Sequence, residues 1–395
     1  MINYYEYNFS CSQTAIAWEQ HELRDIGSAY SGLSGKSKQD FNHGDAKFIT
    51  YLDVFQNTFS KIERTEKIEI DHKQNLVKYG DALFTISSET PNEVGMSSVW
   101  LHNDSNIYLN SFCFGVHLEY PINPIFLGFN LRTPHVRKQF IFLAQGISRF
   151  NISKKKALEI SIYFPSNNEQ REIGKILTTL ESILVLYQDK LNLTVKLRNT
   201  IFHQLFPNKR REKTNLSFKN CESNWHLFRL GDLCTNYDNL RVPITTSKRI
   251  PGKTPYYGAN GIQDFVHGYT HKGPFVLIAE DGANDLKDYP VRYVDGCFWA
   301  NNHVHVLQAD ENTVKNKFLM YAIKSIYIEP FLVGGSRSKL NGSVLMDLKL
   351  PIPSLKFQNK TIDLLSSMDS EIDEFVYKIK KLNNLKSTLL QKMFI

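Results

Sequence analysis

Two stretches of the chain carry the same apolar seam. Past Pro353, the residues Leu365, Met368, Ile372, Phe375, Ile379 and Leu382 recur in alternating steps of three and four. That spacing is the stripe of an α-helix packed along another helix. Past Pro165 the same stripe returns as Ile173, Leu177, Leu180, Leu184, Tyr187 and Leu191. Neither segment holds an internal proline, and the one glycine, Gly174, falls near a start. The pattern predicts two long helices whose seams drift out of strict register toward Phe206 and Phe394. A single seam fits a lone amphipathic helix lying on its own domain. Two related seams are explained more simply by pairing with each other, antiparallel because the chain must return. Before each proline, "ALEISIYFP" and "LMDLKLPIP" alternate apolar and polar residues, as a half-buried strand does.

These two segments belong to an internal repeat. Pro165 and Pro353 lie 188 residues apart (353 − 165), and the offset holds without a gap from Gly146/Gly334 to Phe206/Phe394. Identities include Ser148/Ser336, Arg149/Arg337, Gln170/Gln358, Leu177/Leu365, Lys190/Lys378 and Thr200/Thr388. Between them the chemistry is kept, as in Glu181/Asp369 and Arg198/Lys386. Unrelated helices share apolar spacing, but not an ungapped run that includes a Gly-x-Ser-Arg loop.

Upstream of each copy stands a weaker echo, "WEQHELRDI" from Trp18 and "WHLFRLGDL" from Trp225. Between these landmarks and the loops the two halves do not align. Both are dense in aromatic and β-branched residues broken by Gly, Asp and Asn, as in "KYGDALFTISS", "NIYLNSFCFGVHLEY", "GPFVLIAEDG" and "YPVRYVDGCFWANNHVHVL". The expected plan is therefore α+β: variable β-rich domains at 1–152 and 213–341, alternating with strand-plus-helix tails at 153–212 and 342–395. The basic run "KRREK" in the linker touches a phosphate backbone or is simply solvated, and its residues favour neither.

Composition narrows the class. The 395 residues allow two or three domains, and 42% hydrophobic with 22% charged residues is ordinary for a soluble globular chain. A net charge of +7 suits a polyanionic partner such as nucleic acid. Five scattered cysteines without a C-x-x-C pair disfavour a disulfide framework or structural zinc. The N-terminus does not read as a signal peptide and no apolar run is long enough for a bilayer, so a cytoplasmic protein away from membranes is expected.

Catalytic signatures are scarce. "YSGLSGKS" puts Tyr30 where a phosphate loop needs its first glycine, and reads as a loop. No G-x-G-x-x-G opens a helix, and "NPIF" at Asn123 only approaches a methyltransferase motif. His303 and His305 share a strand face without a third ligand at a telling spacing, and "EDGAND" (Glu280, Asp281, Asp285) reads as a turn rather than a nuclease cluster. No catalytic or metal residue is assigned.

The order and duplication of these parts resemble the DNA-specificity subunits of type I restriction–modification systems. The resemblance covers essentially the whole chain: W…L-x-D-[IL], a variable domain, G-x-S-R, a strand ending in a proline, then Gln and a long helix, twice. "YYGANGIQDFVHGY", "VLIAEDGA" and "FWANNHVHVL" are similar to a target-recognition pattern of that family, and "VKYGDALFTISSETPNEVG" with "NIYLNSFCFGV" to another subtype. The resemblance implies a non-catalytic subunit whose two target-recognition domains each read half of an asymmetric bipartite site in double-stranded DNA. It implies paired helices that space the readers and dock two methyltransferase subunits, with restriction/translocase subunits joining the complex. S-adenosylmethionine, ATP and Mg would then belong to those partners, with no cofactor on this chain. A standalone sequence-specific DNA-binding protein is the second reading, and an enzyme with a degenerate site the third.

Candidate DNA-contacting residues follow from side-chain chemistry, since Arg and Lys suit guanine, Asn and Gln suit adenine, and aromatic rings stack on bases. They are Lys253, Tyr256, Tyr257, Asn260, Asn301 and Asn302 in the second domain, and Ser87, Ser88, Asn110, Arg132 and Lys138 in the first. A structural role in a turn is open for each. Arg149 and Arg337, in the equivalent loops, either contact phosphate or brace their loops by hydrogen bonds, with bracing slightly favoured.

Overall fold

The computed structural model describes residues 18–207, 216–219, 221, 224–335 and 338–394. Arg337 and the "KRREK" run lie outside them. The chain forms two compact units, Met1–Gln188 with Lys378–Ile395, and Asp189–Tyr377. The division passes through both long helices.

In the first unit, β1 (Glu19–Glu22), β2 (Gly27–Ser31), β3 (Ala82–Thr85), β4 (Ser97–Trp100), β5 (Cys113–Leu118) and β6 (Ser161–Phe164) are the defining strands. A sheet runs β2-β5-β3-β4, extended by Phe59–Ser60, while β1 pairs with β6. All four residues of β3 are buried, the mark of a central strand covered on both faces. Phe84 stacks on Phe114 of β5, with ring centroids 5.0 Å apart, and helices α1 (Tyr51–Gln56) and α2 (Pro124–Asn130) belong to the same unit.

The second unit repeats this skeleton with β7 (His226–Arg229), β8 (Cys234–Asn236), β9 (Phe275–Ala279), β10 (Val291–Val294), β11 (Val304–Ala309) and β12 (Lys349–Ile352). Its sheet runs β8-β11-β9-β10, and β7 pairs with β12. Glu19 faces Phe164 and His226 faces Ile352, so the offsets of 207 and 188 residues seen in the sequence meet in one strand pair. The domains whose sequences do not align therefore share one strand order. Backbone pairing sets that order, and it tolerates exchange of every side chain that keeps its burial.

The tails differ from the expected single strand. A helical turn, Lys154–Ala157 or Gly342–Asp347, leads into each apolar-polar run, and only the later part of the run is extended. Then come α3 (Asn167–Leu205) and, after α4 (Asn316–Lys324), α5 (Leu355–Lys392). In the first unit Lys386 of α5 pairs with Glu181 of α3 at 2.7 Å. In the second, Arg198 of α3 pairs with Asp369 of α5 at 2.9 Å. Lys378 of α5 also lies over the Tyr187 ring of α3, so in the first unit the helices run antiparallel, and the conservative exchanges Glu181/Asp369 and Arg198/Lys386 are the two ends of these ion pairs. The seams do not drift out of register: beyond Leu191, Thr194, Arg198 and Ile201 keep the three–four step and stay partly covered. Apolar letters run out there because an arginine that bonds across the seam takes the place of one.

The repeated tryptophans and phenylalanines close the units. Trp18 meets Phe394 at 6.1 Å and Phe126 at 6.0 Å, while Trp225 meets Phe206 at 6.0 Å and Phe318 at 6.4 Å. The repeated glutamines join reader to helix. Gln170 accepts from the Asn123 N–H at 3.0 Å and donates to the Pro165 carbonyl at 2.9 Å. Fully buried Gln358 accepts from the Lys315 N–H at 2.9 Å and donates to the Thr313 and Pro353 carbonyls, each at 3.0 Å. Asn123 caps α2 and Lys315 precedes α4, so each glutamine clamps a reader helix to the turn that starts a long helix.

Candidate nucleic-acid interface

The first Gly-x-Ser-Arg loop is the tip of a short hairpin, and a like pair of bridging residues flanks the second. Gln145 and Asn151 exchange hydrogen bonds at 2.9 and 2.8 Å, and Val333 and Lys339 exchange two at 2.9 Å. Gly146 and Gly334 open the loops at φ +144° and +110°, a region that favours glycine, and a Cβ on Gly146 would lie 2.0 Å from the Arg149 carbonyl oxygen. Each stem then pairs beside the end of a central strand. Phe150 and Asn151 face Ser88 and Ser87, and Lys339 faces Asp281. At the first tip Ile147 is 97% exposed and Arg149 is exposed. The bracing role favoured from sequence is not what Arg149 shows, because its guanidinium makes no hydrogen bond or ion pair among the described residues.

Arg149 instead borders a cleft of about 370 Å³ that Ser87 and Ser88 also line, together with Tyr51, Glu89 and Phe112. Three sequence candidates therefore converge on one place. The serines are supports rather than readers: both are buried, and the Ser88 hydroxyl donates to Glu93 at 3.2 Å. Asn110 accepts from the Phe112 N–H at 2.9 Å, a turn role. Arg132 is also a correction. Its guanidinium donates to the carbonyls of Ser97, Val54, Phe55 and Asn57 at 2.7 to 3.1 Å, and burial pulls its pKa down to about 10. Such a brace has little left to offer a base. Lys138 is exposed on its helix and makes no bond among the described residues.

In the second unit the strand Pro251–Gly258, which carries Lys253, Tyr256 and Tyr257, pairs with Gly261–Val266, and Asn260 lies in the turn between them. Tyr256 is 1% exposed, accepts from the Ile244 N–H at 3.0 Å and lies under the Arg249 guanidinium at 4.2 Å, so it cannot stack on a base. Asn260 staples a neighbouring loop, donating to the Gly282 carbonyl and accepting from the Asn284 N–H, each at 2.9 Å. Buried Asn301 accepts from the His303 N–H at 2.8 Å and donates to Gln263 at 3.3 Å. Lys253 and Asn302 are exposed and unbonded among the described residues, and Tyr257 is half-buried with its ring edge against Phe298.

The two histidines have separate partners. His303 meets Asp281 at 2.6 Å, whereas His305 meets Asp238 at 2.6 Å and the Leu340 carbonyl at 2.8 Å. Both ring nitrogens of His305 face acceptors. Asp238, Glu280 and His305 lie close enough to hold a metal ion. Arg241 and Lys339 already meet the Glu280 carboxylate at 2.5 and 2.7 Å, so the negative charge is matched by side chains. Burial works to raise both acids, but His305 on Asp238, and Lys339 and Arg241 on Glu280, hold them below the usual carboxylate range. Glu280 of "EDGA" is thus part of an ion-pair cluster under the second hairpin.

Comparison with known proteins assigns the family. The family model described as "Type I restriction modification DNA specificity domain" matches residues 16–196 and 222–384. The chain belongs to this family. A putative type I restriction enzyme specificity subunit of Haemophilus influenzae is 44% identical over 145 residues, 36% of this chain and only 37% of that protein's length. A putative type I specificity subunit of Mycoplasma genitalium is 25% identical over 280 residues, 68% of this chain and 70% of the relative. The crystal structure of a type I restriction–modification system S subunit from M. genitalium shares the fold, with a TM-score of 0.69, 19% identity, and coverage of 97% of this chain and 98% of that one. As a specificity-domain protein the chain shows no helix long and apolar enough to cross a membrane among its described residues.

Sequence reasoning missed part of this specificity protein's exposed polar surface. Gln263 and Arg292 stand beside the second-domain candidates, Arg292 donating to the Asn260 carbonyl at 3.0 Å. Gly258 makes room there, since a Cβ would lie 2.3 Å from the Gln263 amide. Gln263 falls inside the quoted "YYGANGIQDF", so its residue type was a usable signal. Glu89 and Phe112 also fall inside quoted segments, but their place on the cleft beside Arg149 comes from the fold.

Proposed function

We propose that this chain reads an asymmetric bipartite site in double-stranded DNA, one half-site per unit, as the non-catalytic specificity subunit of a cytoplasmic type I restriction–modification complex. The observation that carries the reading is the duplicated skeleton with different side chains. Two units share strand order and glutamine clamp, yet present different exposed residues in their variable domains, Lys138 in one and Lys253 and Asn302 in the other. Equivalent frames with unlike surfaces suit two half-sites of unlike sequence.

The long helices supply the second part of the function. At 1.5 Å per residue, 39 residues of α3 measure about 58 Å, against about 34 Å for one turn of B-DNA. Their lengths therefore set how far apart two readers address a duplex. Val185, Leu186, Leu193, Val376 and Tyr377 are at least half exposed on these helices, apolar surface of the kind that binds partner subunits. Two methyltransferase subunits dock there and supply S-adenosylmethionine chemistry, and restriction/translocase subunits add ATP- and Mg-dependent steps. Unpartnered apolar helix surface favours this over a standalone regulator.

Co-expression with type I methyltransferase subunits from the same source and mapping of methylated sites tests the proposal. The expected result is one bipartite motif, and a one-turn insertion in each of α3 and α5 changes the gap while both half-sites stay the same. An unchanged gap refutes the spacing role, and methylation or cleavage by the isolated chain refutes the non-catalytic one.

A further inference from the structure

Arg149 and Glu89 each stand one residue beyond the end of a strand ladder. The last pairs of that ladder are Asn151 with Ser87 and Phe150 with Ser88, and Arg149 and Glu89 come next on the two strands. Both border the same cleft and both are exposed. Opposite charges in such cross-strand positions ordinarily pair, yet neither forms an ion pair or side-chain hydrogen bond among the described residues. A guanidinium fork and a carboxylate thus border one cleft, each without a side-chain partner among the described residues.

The rest of the cleft says what they suit. Glu93 lies there too, already accepting from Thr90 at 2.8 Å, so the acids outnumber Arg149. An acid-rich cleft repels phosphate, which argues against a simple backbone contact. Its rim is apolar, with Phe112 58% and Leu52 59% exposed. The wanted ligand therefore offers acceptors to the fork, a donor to the carboxylate and a flat apolar body. In the major groove a G·C pair presents guanine N7 and O6 as acceptors beside the cytosine N4 amino donor.

We propose that Arg149 and Glu89 together read one G·C pair in the half-site of the first unit, Arg149 donating to guanine N7 and O6 and Glu89 accepting from cytosine N4. The assignment rests on the DNA-reading function proposed above and names the base pair that one of its sites takes. The hairpin tip then serves as a pointer: glycine lets it turn, and the stem fixes Arg149 against the central strand.

The test uses the complex of the full chain with its methyltransferase subunits. Methylated sites are mapped for the wild type and for Arg149→Ala, Arg149→Lys and Glu89→Gln. Because both side chains are exposed and unbonded, thermal midpoints should match the wild type, which checks folding. The expected wild-type motif holds an invariant G·C pair in one half-site. Each variant should relax that position by about 10- to 100-fold while the other half-site keeps its stringency. Lysine cannot reproduce the bidentate fork, so Arg149→Lys should fail with Arg149→Ala. The assignment is overturned by unchanged specificity, by two half-sites without a G·C pair, or by a uniform loss of methylation that Arg149→Lys restores, the signature of a phosphate contact. Absence of any site-specific methylation by the wild-type complex overturns the function itself.

Discussion

Replacing Gln358 by alanine removes one acceptor and two donor bonds from a fully buried site. The Lys315 N–H and the carbonyls of Thr313 and Pro353 lose these partners. A stranded buried polar group costs about 1–3 kcal/mol, toward the lower end for a carbonyl that keeps a second lone pair. The sum is about 3–4 kcal/mol for the second unit. At about 2–4 °C per kcal/mol for a domain of this size, its thermal midpoint should fall by about 10 °C. Gln170→Ala strands two groups, the Asn123 N–H and the Pro165 carbonyl, and should cost the first unit about 2 kcal/mol. Gln358→Met, which refills the volume without the bonds, should lose nearly as much as Gln358→Ala. Calorimetric unfolding of the purified chain gives these numbers directly. A fall below about 2 °C for Gln358→Ala, or a larger loss for Gln170→Ala, would refute the idea that these glutamines clamp reader to helix.

Three further outcomes follow from the geometry. A double-mutant cycle on Arg198 and Asp369 should give a coupling of about 0.5–1 kcal/mol in denaturant unfolding, modest because Asp369 is 39% exposed; a coupling of zero would dismiss the pair as an ornament of the seam. Arg132→Ala should destabilise the first unit by about 2–3 kcal/mol, since a guanidinium serving four carbonyls is lost, while the methylated motif stays the same; an altered motif would return Arg132 to the reading set. Asp238 and Glu280 titrate below their ordinary values of 3.8 and 4.5 in the folded chain, so their stabilisation is present above those values and is lost as pH falls through the lowered ones. Unfolding midpoints of the second unit should therefore drop below about pH 4.5, and Asp238→Asn with Glu280→Gln should flatten that drop.

The helices were legible because a seam is a property of spacing, and spacing is what a sequence displays. Even there the apolar letters stopped short: Arg198 and Lys386 hold seam positions through ion pairs that only the opposite helix explains. The common strand order of the two variable domains was invisible, since backbone pairing constrains burial more than identity. Site residues were chosen by chemical type, and orientation then sorted them. Tyr256, Asn301, Arg132 and the two serines serve the interior or a turn, whereas Lys253, Asn302, Lys138 and Arg149 are free at the surface. The repeated Gly-x-Ser-Arg loop was visible at once, yet its partner Glu89 depends on a strand pairing that no local pattern announces.

The seat of Phe394 against Trp18 and Phe126 has a bearing on biosynthesis. The second unit is one contiguous stretch, whereas the first needs the segment Lys378–Ile395 to complete its packing. A ribosome therefore releases everything the later unit requires before it releases the last part of the earlier one. Until then the nascent first unit carries an open apolar seat around Phe126. Maturation of the chain should run from its middle outward rather than from its beginning.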